Sequence, residues 1–411
     1  MRESTNGIDR KLGLADQIWR AGVDRVNGKS ATQNALAKDH EGPWRHILAL
    51  GKGASAMLLG ALDFLTPDAQ ALLVTKYGHV DQPLLEDSRI EIIESGHPMP
   101  DSNSIRAGNA VREFIQQLPA EASLLVLVSG GASALVESLA VGIDLAKLQK
   151  LSARLLADGY SIDQINFIRI AVSTIKGGKL IREFKGRLVQ VYGLSDIPGD
   201  DADLIGSGIA AIQPPEVESF DVPPEIQRLL DQTDQAAVPE LNYAPEFEYR
   251  SSLVGSNTMA RQAAAQQANS MGMQVLESTD TLRGDILELA PILAARIATG
   301  GNGVYIWGGE PTVKLPENPG KGGRNQSLAI ALGLAAADQP GVYGLVAGTD
   351  GSDGPTDAAG GFFYTGMDLS GARGALSKAD AGSWLASIDQ QFVTGPTGTN
   401  VMDLAVVIKQ A

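Results

Sequence analysis

HILALGKGASAMLLGALDFL, residues 46–65, runs from a short apolar stretch through a glycine turn into a helical pattern. A continuous apolar run of this length suits a strand buried on both faces, and the turn Gly51-Lys52-Gly53 opens the helix. The alternation continues with ALLVTK at 71–76, IEIIES at 90–95, LLVLVS at 124–129 and LVQVYGLS at 188–195. Strands separated by helical segments build βαβ units, so the first half is expected to be an α/β layer domain with a mostly parallel sheet.

Between residues 211 and 250 the texture changes. Six prolines (Pro214, Pro215, Pro223, Pro224, Pro239, Pro245) stand there among acidic residues, the composition of an excursion at a domain boundary. A second alternating series follows: SLVGS at 252–256, MQVLES at 273–278, GVYIW at 303–307, VYGLVAG at 342–348 and LAVVI at 404–408. The second half is therefore expected to be α/β too. Residues 9–26 read as an amphipathic helix without evident chemistry.

At 411 residues the chain exceeds one typical core, and two domains are expected. A hydrophobic fraction of 44% with a mean hydropathy of −0.02 describes a globular protein. No apolar run approaches the roughly 18 residues of a membrane span. The first residues carry no apolar core of a signal peptide, so a cytoplasmic location is expected. The absence of cysteine excludes disulfides and thiolate catalysis, and four histidines leave little for a histidine-rich metal site. A formal charge of −15 argues against nucleic acid or an anionic membrane as partner. An anionic small molecule must then be met by a local cation.

Several glycine loops stand where such a cation would act. Gly51-Lys52-Gly53-Ala54-Ser55-Ala56 fits the dinucleotide fingerprint G-x-G-x-x-A, but Thr75 and Lys76 occupy the place of the acid that would hold a ribose. The alternative is that Lys52 points its ammonium at a transferring phosphate. Ser129-Gly130-Gly131-Ala132-Ser133 can form an anion-binding nest with two hydroxyl donors. Asp196, Asp200 and Asp201, then Gly206-Ser207-Gly208, follow the strand at 188–195, and closely spaced carboxylates suit Mg2+. The loop 348–354, GTDGSDG, is expected to place Asp350, with Asp353 as a second candidate, at a ligand. His97 lies in a proline-stiffened connector and is expected to be structural.

The corresponding stretch of the second half is WGGEPTVKLPENPGKGGRN, residues 307–325. Gly308 and Gly309 are expected to stop the strand, and a helix is expected to begin just after Arg324 and Asn325. Glu310, Thr312 and Arg324 would then gather between a strand end and a helix N-terminus, where exposed N–H groups favour anions.

Taken together, GKGASAM at 51, ESGHPMPDSNS at 94, VSGGASAL at 128, STIKGGKL at 173, LSDIPGDD at 194, GSNTMA at 255, GGEPTV at 308, GKGGRNQ at 320, AGTDGSDGPTDAAG at 347 and TGPTGTNVMDL at 394 resemble the glycerate 2-kinase family, whose C-terminal part is the MOFRL domain. The resemblance implies a Rossmann-like kinase domain at 1–240, a MOFRL-containing α/β domain at 241–411 and an active site in the cleft between them. It implies transfer of the γ-phosphoryl of ATP, with Mg2+, to the 2-hydroxyl of D-glycerate or a related hydroxy acid, giving 2-phosphoglycerate.

The family's catalytic lysine falls on Lys52 and its catalytic arginine on Arg324. Gly51, Ser129, Gly130, Gly131, Ser133, Ser207, Asn257, Glu310, Thr312 and Asp350 become candidates for substrate or nucleotide, and Asp196, Glu310 and Asp350 for the metal. The chain departs from the family pattern at Ile170 and Ala171, where a Lys-His pair is usual, and at Ser327, where an acid is usual. These departures bear on which hydroxy acid is taken. Two alternatives carry the same features: an NAD(P)H-dependent hydroxypyruvate reductase and a non-catalytic metabolite-binding protein.

Overall fold

The computed structural model describes residues 2–157, 160, 162–197, 199–214, 222, 224–231 and 243–410. Pro198, Pro215, Pro223 and Pro239, and with them most of the expected proline-rich excursion, lie outside the described residues. The chain forms two compact units, Gly28–Val254 and a second that joins Met1–Asn27 to Gly255–Ala411.

In the first unit six strands form one sheet in the order β3-β2-β1-β4-β5-β6. They are β1 (Trp44–Leu50), β2 (Leu65–Lys76), β3 (Ile90–Ser95), β4 (Ser123–Ser129), β5 (Leu188–Leu194) and β6 (Glu248–Gly255). The pairs β1 with β2, β1 with β4, β2 with β3 and β4 with β5 are parallel. Alternate residues feed two cores. Leu48, Leu50, Val126 and Val191 face one layer of helices, and Ile47, Ala49, Leu125 and Leu127 the other. A sheet covered on both faces has no solvated side, which is why these strands read as unbroken apolar runs. The strand order reverses between β1 and β4, and loops at such a switch point form the ligand crevice of open α/β sheets.

The second unit also holds six strands, in the order β11-β10-β9-β12-β8-β7. These are β7 (Val275–Asp285), β8 (Gly303–Thr312), β9 (Val342–Gly348), β10 (Gly360–Tyr364), β11 (Gln391–Phe392) and β12 (Asp403–Lys409). This sheet is mixed: β7 and β8 are parallel, whereas β12 runs antiparallel to both β8 and β9 and lies between them. Leu328, Val346, Ala405 and Trp307 pack in the core on one face.

The opposite face of that sheet corrects the expected division at 240/241. The helix Arg2–Arg25 buries Ile18, Trp19 and Val23 against Leu345, Leu404 and Val406. Trp19 donates its indole N–H to the Ala347 carbonyl at 3.4 Å and meets Phe392 edge-on at 5.0 Å. An amphipathic helix goes wherever its apolar stripe is buried, whatever its position in the chain. The first 27 residues therefore belong with the last 157, and the other boundary falls at the end of β6. Among the described residues no helix is long and apolar enough to cross a membrane.

A second correction concerns Gly308 and Gly309. They do not stop the strand; β8 continues through them to Thr312, with Gly308 opposite Leu404 and Gly309 opposite Asp403. Gly308 lacks a side chain for a packing reason, since a Cβ there would stand 1.7 Å from the Asn257 amide oxygen. The helix after β8 likewise starts at Arg324 rather than beyond Asn325.

Candidate functional site

In the first unit the loops after β1 and β4 close on each other at the switch point. Lys52 N–H donates to the Gly130 carbonyl at 2.9 Å, Gly53 N–H to Ser129 Oγ at 2.9 Å, and Gly51 N–H to the Val74 carbonyl at 3.0 Å. All three amides of the fingerprint turn are thus consumed inside the protein. The Lys52 side chain is half-buried, and it makes no hydrogen bond or ion pair with a described residue.

Gly131, at φ +85°, lies against the Lys52 stem and the His97 imidazole. A Cβ there would stand 3.0 Å from Lys52 Cγ and 3.1 Å from His97 Cδ2, so the glycine lets lysine, histidine and loop converge. Burial, then the neighbouring cations Lys52, Lys76, His79 and Arg169, push the His97 pKa down to about 4 and keep the ring neutral at pH 7. The Asp196 carboxylate stands directly over Gly130. Of its two acidic companions, Asp201 accepts from Asp203 N–H at 2.9 Å and caps the short turn that follows. Ser133 and Ser207 share a hydrogen bond of 2.9 Å, and the Ser207 hydroxyl also donates to Asn166 Oδ1 at 2.9 Å.

In the second unit Arg324 is the first residue of the helix Arg324–Ala335. Its Nε donates to Asp403 Oδ2 at 2.6 Å, its Nη2 to Asp403 Oδ1 at 3.3 Å, and its Nη1 to Glu310 Oε1 at 2.5 Å. Burial alone would weaken the charge, but Asp403 and then Glu310 outweigh it, and the guanidinium binds its proton more tightly than usual. The helix N-terminus is already occupied by the protein's own anion. Asp353 accepts from the backbone amides of Asn325 at 3.1 Å and Gln326 at 2.8 Å. Burial pushes Asp353 up to about 7 while these amides pull the other way. The backbone anion site expected here is therefore filled from within, and Asp353 is a cap instead of a ligand group.

Three further candidates are placed differently from expectation. Asn257 is buried and spends its amide N–H groups on the carbonyls of Val401 at 2.9 Å and Asp403 at 3.0 Å, while its oxygen accepts from Arg261. It holds the chain entering β12 and has no donor left for a phosphate. Thr312 is exposed at the end of β8, opposite Asp285 of β7, and does not join Arg324. Asp350 folds back to accept from Ser352 N–H at 3.0 Å, beside Asp403. A Cβ on Gly348 would stand 3.3 Å from an oxygen of each.

Asp403 had no role in the sequence reading. Its signal was a single acid at the head of the apolar LAVVI strand, and only the sheet order brings that strand beside Arg324. The departures from the family pattern fall at buried positions. Ile170 and Ala171 are core residues, and Ser327 is buried in the first turn of its helix.

The chain as a whole is similar to known proteins. Residues 14–233 match the family model described as a domain of unknown function, DUF4147, and residues 303–403 match the MOFRL family. The D-glycerate 2-kinase of Thermotoga maritima is 33% identical, with 96% of this chain and 97% of that one covered. The chain belongs to the glycerate kinase family. A crystal structure of the glycerate kinase from Thermotoga maritima superposes with a TM-score of 0.82 at 30% identity, covering 98% of this chain and all of that one. A candidate hydroxypyruvate reductase of Agrobacterium vitis is 31% identical over 88% of this chain and 98% of its own. Within the glycerate kinase family, then, related chains carry both names, and the geometry of the turn at Gly51 bears on the choice.

Proposed function

We propose that this protein is an ATP- and Mg2+-dependent kinase that phosphorylates the 2-hydroxyl of D-glycerate, or of a closely similar hydroxy acid, to the 2-phospho product. The observation that carries the reading is the Gly51–Gly53 turn. Its amides are spent internally, so it offers no cradle for a dinucleotide pyrophosphate, whereas the Lys52 ammonium is left without a partner among the described residues. A positioned cation with no internal counter-ion suits a transferring phosphoryl group.

In this reading the substrate 2-hydroxyl oxygen attacks the γ-phosphorus in line, its proton passes to solvent, and the bond to the bridging oxygen breaks as ADP leaves. Lys52 and Arg324 neutralise charge on the transferring group. Asp403 orients the Arg324 guanidinium through its Nε and Nη2 edge, and Glu310 engages Nη1. Ser133 and Ser207 form a hydrogen-bonded chain to Asn166 that steadies the loop beside Lys52. Mg2+ would shield the ATP phosphates, and because it takes one or two carboxylates alongside phosphate oxygens and water, Asp196 and Asp350 suit it singly. Glu310, engaged by Arg324, is set aside as a metal ligand.

The reductase reading rests on the fingerprint spacing and on the name of the Agrobacterium relative. One assay pair separates the possibilities. ADP release that requires D-glycerate together with ATP·Mg2+ supports the kinase. Loss of NAD(P)H absorbance with hydroxypyruvate supports the reductase and overturns the proposal. Silence in both, with D-glycerate still bound in calorimetry, supports a non-catalytic binding protein.

A further inference from the structure

Beside the Ser133 loop, the first unit holds a small pocket whose enclosed space is about 10 Å3, room for about one water. Ser133, Glu137, Ser152, Arg169 and Lys176 line it, with Pro100 and Leu148 among its apolar walls. Glu137 and Lys176 are both almost wholly buried and form an ion pair. The carboxylate of Glu137 is otherwise saturated: Oε1 accepts from Ser173 Oγ at 2.6 Å and from Ser138 N–H at 3.0 Å. This pair cancels its own charge.

Arg169 does not share in it. The guanidinium lines the same pocket, is largely withdrawn from water, and makes no hydrogen bond or ion pair with a described residue. Burial lowers its proton affinity and the Glu137 charge restores part of it. A planar, five-donor cation largely withdrawn from water, with no acceptor among the described residues, costs free energy unless something supplies one. The pocket thus carries one surplus positive charge, with a serine hydroxyl at its rim. It adjoins the candidate transfer site, since Ser133 belongs to the Gly130–Gly131 loop that packs on Lys52, and Arg169 is among the cations acting on His97.

We infer that Arg169 receives the carboxylate of the hydroxy-acid substrate at the mouth of this pocket, leaving the 2-hydroxyl toward the Gly131–Lys52 side. The inference rests on the kinase reading for its assay but not for its geometry. Arg and carboxylate meet through two parallel N–H···O bonds, which fixes orientation as well as charge. The neutral Glu137–Lys176 pair is then a wall that holds the segment carrying Ser173 in place. Ile170 and Ala171 lie in the core, and the change from the family's Lys-His pair leaves Arg169 itself in position.

The test compares wild type, Arg169→Met and Arg169→Lys with D-glycerate, its methyl ester and ATP·Mg2+. Loss of a bidentate, charge-assisted contact is expected to raise the D-glycerate KM of Arg169→Met by about 30-fold. The ATP KM should stay within about threefold, which also reports an intact fold. Wild type should prefer the acid to the ester, and Arg169→Met should lose that preference. Arg169→Lys, which keeps the charge without the fork, should fall between. A D-glycerate KM within about threefold of wild type in both variants overturns the proposal, as does an unchanged acid-to-ester preference. If wild type shows no turnover, the kinase reading fails separately, and calorimetric titration with D-glycerate decides the pocket. Tighter binding to wild type than to Arg169→Met upholds it, and equal binding overturns it.

Discussion

Arg324 and Asp403, 79 residues apart, meet through a two-toothed ion pair in which the carboxylate is buried and the guanidinium one-third exposed. Glu310, on the other side of the same guanidinium, is half exposed. The two acids should therefore behave differently when removed. Asp403→Asn leaves a partly buried cation with only the half-exposed Glu310 as counter-charge and is expected to cost about 3 kcal/mol. Glu310→Gln should change stability by less than about 1 kcal/mol, as exposed pairs do. Urea unfolding of both variants checks this, and equal costs would contradict the assigned roles.

Lys52→Ala and Arg324→Ala are each expected to remove most turnover, by about 1,000-fold, because each deletes a cation from the proposed transition state. Lys52 has no partner among the described residues to lose, so its variant should keep wild-type stability. Arg324→Ala strands Asp403 and should also lower the unfolding midpoint. Steady-state ADP release and thermal unfolding on the same preparations separate the two effects, and near-normal turnover in either would remove that residue from the mechanism.

Gly308 and Asn257 form a close-packed pair whose coupling can be measured. Gly308→Ala alone drives a methyl group into the amide that secures Val401 and Asp403, and should cost about 2 kcal/mol or more. In an Asn257→Ala background the nearest obstacle is gone and only the flexible Arg261 stem, at 2.8 Å, must give way, so the same substitution should cost less than in wild type. Additive costs would show that the glycine is required for some other reason.

His97 gives a pH signature with a definite sign. Its folded pKa, about 4, lies below its ordinary value of 6.5, so the folded protein binds this proton less readily than the unfolded chain. The contribution is complete above pH 6.5 and is lost as the pH falls toward 4, to a limit of about 3 kcal/mol given partial exposure. Wild type minus His97→Asn, followed by denaturant unfolding from pH 7 to 4, should trace that slope. A flat difference would mean that the imidazole is not held neutral by its surroundings.

Much of this was legible locally. The apolar runs at 46–50, 124–129 and 342–348 gave strands because both faces of each are covered, and glycines at their ends marked the loops where Lys52 and Gly131 meet. β10 and β11 were not legible: GGFFY and QF are short, glycine-led or isolated, and are strands only because β9 and one another supply the hydrogen bonds. The glycines at 308 and 309 misled for a related reason. A glycine at a strand end and a glycine making room for a distant group look alike in sequence, and only Asn257 beside Gly308 and the Leu282 carbonyl beside Gly309 tell them apart.

The sequence alone determined the α/β layers, the two successive series of strands and the identity of the cations at the glycine loops, because strand burial and turn geometry are properties of neighbouring residues. Tertiary structure decided the rest. Insertion of β12 between β8 and β9 brings Asp403 to Arg324, docking of the first helix on the far sheet assigns it to the C-terminal unit, and Asp353 reaches across to cap the helix that Arg324 begins. Each depends on which distant surfaces bury each other and which buried donors find acceptors, and no local window of the chain encodes that choice.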